Sequence, residues 1–242
     1  MPTRTITLRD HAFRPDPSGV LWWPDRRWLL VADLHLEKAT ALALRSRRLL
    51  PPYDSTATLA RLKAAIDRLD PAVVVALGDS FHDAGGADRL AADDRATLAA
   101  LARGRDWVWV LGNHDPALPA SLPGDRMAEL TVDGLVCRHA AAPGATGEIS
   151  GHYHPKAAVH GRAGRVTGRC FVADQDRLIL PAFGAYAGGL DVLDPAIRSL
   201  LAPAFHVWLI GRAALHRFPG AGLSPIDLAQ PSVPAAYSSR GR

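Results

Sequence analysis

Three continuously apolar runs stand out in the first half of the chain, at 28–32, 73–77 and 107–111. A short run without polar alternation is typical of a strand that is buried on both faces of a sheet. Each run stops directly at a cluster of polar residues. The pattern therefore predicts three buried strands whose carboxyl ends carry polar side chains.

Amphipathic segments separate these runs. Residues 39–50 are rich in Ala, Leu and Arg and end at two prolines, while residues 54–70 and 87–103 repeat large apolar residues at helical spacing. Asp54 or Ser55 is expected to cap the second of these helices. Because buried strands alternate with helices, we expect an α/β layered fold whose site lies at the carboxyl ends of the strands.

Beyond Pro123 the pattern changes to short strands punctuated by glycine and proline. The predicted strands are 127–132, 135–138, 169–173 and 178–180. Neither an internal repeat nor a composition shift divides residues 1–218, which we expect to form one domain. Residues 219–242, rich in Pro, Ala, Ser and Gly, are expected to form a loosely structured C-terminal tail.

Composition adds modest constraints. The 242 residues are 48% hydrophobic, which is enough for one sizeable core, and the net charge of +4 suits an anionic partner. An Ala- and Arg-rich composition could produce the same charge without such a partner. Cys137 and Cys170 match no zinc or redox spacing and are expected to be buried, reduced thiols. No signal peptide or membrane span is visible, so a soluble cytoplasmic protein is expected.

Side chains suited to metal binding follow the predicted strands. The candidate ligands are Asp33, His35, Asp79, Asn113, His139, His152 and His154. Residues two apart in an extended chain point the same way, so each of the Asp-x-His and His-x-His pairs could face one metal. A carboxylate has two oxygens and can bridge two cations, which makes Asp79 our candidate for a shared ligand.

Each cluster taken alone has an ordinary structural interpretation. Asp33 and Asp79 could cap helices, the segment from Asn113 to Asp115 could be a plain turn, and a lone histidine such as His139 is usually structural. Taken together, the mixed oxygen and imidazole set suits Mn²⁺, Fe²⁺ or Zn²⁺. Two such ions would clamp a phosphate and activate water, so the predicted reaction is hydrolysis of a phosphoester.

The ordered motifs resemble those of a known superfamily. The series D-x-H, GD, GNHD, H and GHxHP, between residues 28 and 190, is similar to the calcineurin-like binuclear metallophosphoesterases. The strings DLHLEK, LLPPYDS, LGDSFHD, GNHDP, ISGHYHP and LPAFGAYAGGL look like the bacterial ligase-associated branch. Members of that branch are DNA endonucleases encoded beside a DNA ligase, a helicase and an exonuclease.

The resemblance implies a four-layer α-β-β-α sandwich of two mixed sheets flanked by helices. It also implies that Asp33, His35, Asp79 and His154 hold one divalent ion, and that Asp79, Asn113, His139 and His152 hold the other. Mn²⁺ is the expected metal, with Fe²⁺, Zn²⁺ or Co²⁺ as alternatives.

The resemblance gives His114 a catalytic role, in contact with the phosphate and assisting departure of the leaving oxygen. This sequence departs from the family pattern GDxxD, because His82 stands at the position of the second Asp and Asp83 follows one residue later. Either residue could orient His114, and we expect Asp83 to do so because a carboxylate fixes an imidazole well.

Three functions are consistent with these residues. The first is a Mn²⁺-dependent endonuclease for single-stranded DNA that works in repair with the ligase, helicase and exonuclease. The second is a nucleotide phosphodiesterase or phosphomonoesterase acting on small esters. The third is a non-catalytic scaffold, which the complete ligand set disfavours.

Residues 180–190 could stack Phe183 or Tyr186 on a base or form a buried turn, and the basic run 45–48 could track DNA or face solvent.

Overall fold

Two β-sheets packed face to face make up the centre of the computed structural model, which describes residues 5–46, 49–161 and 164–226. Helices cover the outer faces. The predicted α/β sandwich of two mixed sheets is therefore confirmed. Among the described helices, none is both long and apolar enough to cross a membrane.

The first sheet contains the three apolar runs as neighbouring parallel strands. Its strands are β1 (Ile6–Leu8), β2 (His11–Pro15), β3 (Leu21–Trp23), β4 (Trp28–Val31), β5 (Val73–Leu77), β6 (Asp106–Val110) and β7 (Asp125–Met127), in this spatial order. Pairing is antiparallel from β1 to β4 and parallel from β4 to β7. The carboxyl ends of β4, β5 and β6 consequently meet at one edge.

The second sheet is built from the short strands of the other half. They are β8 (Glu129–Val132), β9 (Leu135–Arg138), β10 (Glu148–Ser150), β11 (Pro155–Gly161), β12 (Gly164–Ala173), β13 (Arg177–Ile179), β14 (Leu190–Asp191), β15 (His206–Ile210), β16 (Leu215–Pro219) and β17 (Leu223–Ser224). The order is β14-β11-β12-β13-β10-β9-β8, with β15 on β12, β16 on β15 and β17 on β11. β10 runs parallel to both of its neighbours, so this sheet is also mixed.

The α-helices of the described chain are α1 (Lys38–Ser46), α2 (Asp54–Leu69), α3 (Gly86–Arg89), α4 (Ala92–Ala102) and α5 (Pro195–Arg198), and two short 3-10 helices span Pro24–Arg26 and Gly220–Gly222. The predicted helix 87–103 is interrupted, because Leu90 leaves the helical region with φ −54° and ψ 125°. The predicted cap of α2 is wrong: the N-cap is Tyr53, and Asp54 and Ser55 are buried inside the first turn. Their side chains bind the preceding segment instead, accepting from the N–H groups of Ala39 and Glu37.

Three layers of apolar side chains hold the sandwich together. Trp23, Leu30 and Phe171 belong to the layer between the two sheets, and each is fully buried. A second layer lies between the first sheet and helices α2 and α4, and a third packs the second sheet against α5 and the segment that follows it. The outer helical layer on the second sheet is thus a single short helix.

Regular structure continues past the predicted start of the C-terminal tail. β16 ends at Pro219, and β17 pairs antiparallel with β11. The N–H group of Ile226 also donates to the carboxylate of Asp191. The rest of the predicted tail, 227–242, lies outside the described residues.

Candidate metal centre

The predicted ligands converge at the edge where the two sheets meet. Asp33, Asp79 and Asn113 follow β4, β5 and β6, which are neighbours in the first sheet. His139 follows β9, and the His-x-His segment follows β10, which is the neighbour of β9 in the second sheet. Parallel strands bring their carboxyl ends together, so five loops far apart in the sequence share one site.

Two clusters of ligand atoms form within this site. Asp33, His35 and His154 make one cluster, and Asp79, His139 and His152 make the other. In each cluster the three ligand atoms lie within 4.8 Å of one another. Asn113 joins the second cluster, because its Oδ1 lies 2.9 Å from Nε2 of His139. All seven predicted ligands are therefore brought together.

Five of the seven ligands have a left-handed rather than an extended backbone. Values of φ are 54° at Asp33, 43° at His35, 46° at Asp79, 71° at His152 and 49° at His154. Asp33 and His35 share a cluster as expected, but the extended backbone that was expected to align the pairs is wrong. His152 and His154 enter different clusters. Non-glycine residues avoid this region of φ, and such strain concentrates at functional sites.

Imidazole nitrogens approach one another closely in both clusters. Nε2 of His35 lies 3.2 Å from Nε2 of His154, and Nδ1 of His152 lies 3.0 Å from Nε2 of His139. Burial, followed by the neighbouring His154, lowers the pKa of His35 to about 2. A neutral imidazole keeps a lone pair for a cation, so this donor set fits divalent metal ions.

The two aspartates form the buried floor of the site, with exposed fractions of 0% for Asp33 and 2% for Asp79. The carboxylate of Asp33 accepts from the N–H of His152 at 2.9 Å and lies 3.4 Å from Nε2 of His154. Asp79 accepts from the N–H of His114 at 2.9 Å, and its other oxygen lies 3.3 Å from Nε2 of His139. Burial is the largest influence and would raise the pKa of Asp79, but the hydrogen bonds and charges of His139 and His114 together outweigh it and lower the pKa to about 2.

His139 is fixed by the main chain. Its Nδ1 lies 3.1 Å from the carbonyl oxygen of Leu77, and because a carbonyl only accepts, Nδ1 carries the hydrogen and Nε2 faces the site. Burial disfavours the charged ring, yet Asp79 and Asp33 outweigh this and raise its pKa. The ring also explains the glycine before Asp79: a Cβ on Gly78, whose φ is +75°, would lie 2.4 Å from Nδ1.

His114 lies beside the clusters without belonging to them. Its Nδ1 donates to the carbonyl oxygen of His82 at 2.7 Å, and its Nε2 lies 3.9 Å from Oδ2 of Asp79. The expectation that the Asp83 side chain orients His114 is therefore wrong, because the carbonyl oxygen of His82 bonds this ring instead. The carboxylate of Asp83 instead bonds Arg89 at 2.8 Å and the N–H of Gly85 at 3.0 Å.

The side chain of His82 connects His114 with a candidate ligand. The two rings stack at 5.1 Å with an interplanar angle of 24°. Nδ1 of His82 also lies 3.4 Å from Nδ1 of His35. Burial, then the charge of Lys38, lowers the pKa of His82 to about 4, so its ring is neutral at physiological pH and can accept from His35.

Sequence reasoning gave no role to Asp115, which holds two ligand loops together. This carboxylate is fully buried and accepts four backbone N–H groups, from Gly112, Asp79, Ser80 and Phe81. The distances lie between 2.7 and 3.1 Å. The only signal for this role was its place in a turn-forming cluster, because aspartate often bonds nearby backbone.

A second unpredicted residue supports the loop after Asp33. Glu37 is buried, with φ 63°, and its two carboxylate oxygens accept from Ser55 and Thr40, each at 2.8 Å. Ser55 in turn accepts from the N–H of Glu37 at 2.8 Å. This network fastens the segment that carries His35 to the first turn of α2.

Within residues 180–190, the first five (180–184) form a buried turn packed against the site, and the remainder is exposed or half-buried. Phe183 and Gly184 donate their N–H groups to the carbonyls of Ala32 and Asp33 at 2.9 and 3.0 Å. Phe183 is 0% exposed, so the structure does not offer it to a base. Tyr186 donates its hydroxyl to the carbonyl of Pro51 at 3.2 Å. The packed turn is therefore the interpretation observed for Phe183, while stacking of the half-buried Tyr186 on a base stays a prediction.

The site opens to solvent on one side. Asn113 and His152 are exposed, and His114 and His154 are half-buried, above the buried carboxylates. A substrate can therefore approach the clusters from this side without entering an enclosed cavity. Of the basic run 45–48, Arg45 is exposed and lies 3.4 Å from Asp83, while Arg47 and Arg48 are outside the described residues.

Comparisons with known proteins agree with this geometry. A family model described as calcineurin-like phosphoesterase matches residues 26–163. Among solved structures, the chain is similar to the crystal structure of a nuclease, MPE, from Pseudomonas putida. Identity is 29% and the TM-score 0.68, over 88% of this chain and 98% of that chain. No curated protein gives a match.

Proposed function

This chain belongs to the calcineurin-like phosphoesterase family, and from that premise we propose that it is an endonuclease for single-stranded DNA. The family and the two ligand clusters make it a metal-dependent phosphoesterase. The observation that carries the proposal is the similarity to a nuclease over 98% of that nuclease's chain. The open side of the site and the net positive charge of +4 support a polymeric anion as substrate.

Two divalent ions fit the donor set. Asp33, His35 and His154 would hold one, and Asp79, Asn113, His139 and His152 would hold the other, with Asp79 as the candidate bridge. Mn²⁺ is our proposed metal because mixed carboxylate, amide and imidazole ligands suit it, and Fe²⁺, Zn²⁺ and Co²⁺ are the alternatives. When bound, the ions would polarise the phosphoryl oxygens and activate the attacking water.

The protein's own groups set the geometry of the reaction. The buried carboxylates hold the clusters in place, and the carbonyl of Leu77 keeps Nε2 of His139 facing them. His114 donates from Nδ1 to His82, so in its protonated form the second hydrogen is on Nε2, on the side of Asp79. From Nε2 that hydrogen can pass to the leaving oxygen, which is the role we propose for His114.

The proposal extends to the cellular setting. We propose cytoplasmic action in DNA repair, with a DNA ligase, a helicase and an exonuclease in the same pathway. These partners rest on the similarity of the strings LGDSFHD and ISGHYHP, among others, to the ligase-associated branch of the family.

Incubation with circular single-stranded DNA tests the activity, because a circle has no end for an exonuclease. We expect nicking with Mn²⁺, and weaker or no nicking with Mg²⁺, Zn²⁺ or Co²⁺. The variant Asp79→Asn should be inactive in the same assay. If small phosphodiesters are hydrolysed while the circle stays intact, the substrate is a small ester and the DNA proposal fails.

A further inference from the structure

Two arginines from different layers meet behind the turn that contains Phe183. Arg61 comes from α2, and its guanidinium carbon lies 4.2 Å from the centre of the Phe183 ring. Arg169 comes from β12, and its Nη1 donates to the carbonyl of Ala182 at 2.6 Å. Both side chains are half-buried. Gly19 lies against Arg169 and Phe183 and contributes no side chain that would cover them.

Neither guanidinium has an acidic partner in the part of the chain that the structure describes. Nε and Nη2 of Arg61 are buried without a hydrogen bond. Burial, and then repulsion from Arg169, lowers the pKa of Arg61 to about 10, and burial lowers the pKa of Arg169. Arg177 shows the usual arrangement, since it is buried but lies 3.4 Å from Glu148. Two half-buried like charges without a carboxylate are unfavourable, and a bound anion would relieve them.

The turn connects these arginines to the metal centre. Ala182 pairs with Ala32, the residue before Asp33, and Gly184 donates to the carbonyl of Asp33. An anion bound by the arginines would therefore be separated from the candidate ligand Asp33 only by the turn at Ala182–Gly184. This closeness fits a second group on a substrate that already occupies the centre.

We propose that Arg61 and Arg169 bind a phosphodiester of the nucleic-acid strand that is cleaved at the metal centre, next to the scissile linkage. The proposal rests on the proposed nuclease function and names a site for the rest of its substrate. Guanidinium groups suit this ligand because their planar donors match phosphate oxygens in pairs.

The surroundings favour a polynucleotide over a free phosphate ion. Arg68 lies seven residues after Arg61 on the same face of α2, about 10 Å further along the helix. With Arg14 and Trp22 it lines a cavity of about 370 Å³. Arg68 is paired with Asp16 at 2.9 Å, so its charge is partly neutralised. An indole wall beside basic groups is suited to the next nucleotide of the strand.

Binding can be measured without activity by using metal-free protein and a fluorescent 20-mer of single-stranded DNA. The double variant Arg61→Gln/Arg169→Gln is compared with Lys63→Gln/Arg103→Gln, which removes two exposed charges, one of them from the same helix. We expect the first variant to bind about 10-fold more weakly, with a salt slope smaller by about 0.7, the value for one phosphate contact. The control should keep the wild-type slope.

Several outcomes would overturn the site. An unchanged slope in the arginine variant, with wild type that binds and cuts DNA, removes this proposal alone. Failure of the wild type to bind the 20-mer removes the nuclease function and this site with it. Displacement of the 20-mer by an equal concentration of inorganic phosphate would show a free-anion site instead.

Folding is checked by circular dichroism and by thermal unfolding, and both double variants should keep the wild-type spectrum and a cooperative transition. If the arginine variant does not fold, Arg61→Gln and Arg169→Gln are tested singly. Each is expected to weaken binding about 3-fold, and unchanged binding in both overturns the proposal.

Discussion

Nδ1 of His114 lies 2.7 Å from the carbonyl oxygen of His82. A main-chain acceptor therefore orients this imidazole, in place of the carboxylate that the sequence suggested. A carbonyl cannot be removed by substitution, so changes at His82 and Asp83 should affect the side-chain functions of those residues and leave this bond in place.

Replacing Asp79 should remove both activity and metal. Asp79 is buried, contacts His139 and His114, and is our candidate for a ligand of both ions. We expect Asp79→Ala to lower phosphoester hydrolysis by more than about 100-fold. Loss of a residue that only orients a metal ligand typically costs less than this, about 10- to 100-fold. Elemental analysis should show reduced metal content. Asp88→Ala, a carboxylate on α3, is the control, and equal metal content in the two variants would contradict the ligand role.

His114→Ala should separate catalysis from metal binding. The ring lies beside the clusters and outside both. We expect hydrolysis to fall by about 10²–10⁴-fold while metal content stays at the wild-type level. Because the proposed role is to protonate the leaving oxygen, the loss should be smaller for p-nitrophenyl esters, whose leaving group needs no proton. An equal loss for good and poor leaving groups would argue against this role.

Asp83→Ala should affect stability more than chemistry. The carboxylate bonds Arg89 and the N–H of Gly85, and its exposed fraction is 7%. Loss of these bonds should lower the free energy of unfolding by about 1–3 kcal/mol. Denaturant unfolding measures this change, and kcat with p-nitrophenyl esters should remain close to wild type. His82→Ala is the comparison, since it removes the ring stacked on His114 and should lower kcat at little cost in stability.

Asp115→Asn should destabilise the protein, although the two side chains have almost the same shape. Each carboxylate oxygen accepts two backbone N–H groups, and an amide nitrogen placed at either position would face two donors. An unsatisfied buried donor costs about 1–3 kcal/mol, so a lower Tm and weaker metal retention are expected. A Tm equal to that of the wild type would show that the two loops hold without this carboxylate.

The two thiols should be inert in the folded protein. Cys137 and Cys170 are both 0% exposed, and burial raises the pKa of Cys137 to about 12 and raises that of Cys170 as well. Because the thiolate is the reactive form, a disulfide reagent at pH 8 should label neither cysteine until denaturant is added. Labelling is read by absorbance, and rapid reaction of the native protein would contradict the packing of both residues.

The local pattern of the chain determined much of the architecture. The predicted strands at 73–77 and 135–138 are β5 and β9 with the predicted bounds, because burial of a short strand depends on its own residues. The types and order of the candidate ligands were visible for the same reason. A metal site needs carboxylate and imidazole groups at strand ends, and both are recognisable in the sequence.

Tertiary structure decided which partner each side chain meets. His152 and His154 enter different clusters because the backbone there is left-handed, which an alternating pattern does not reveal. Asp83 bonds Arg89, although the family pattern GDxxD had suggested that its carboxylate orients His114. Arg61 and Arg169 come together only when α2 and β12 pack on the same turn. Hydrophobic periodicity reports which face of an element is buried, whereas the partner of a polar group depends on contacts between residues distant in sequence.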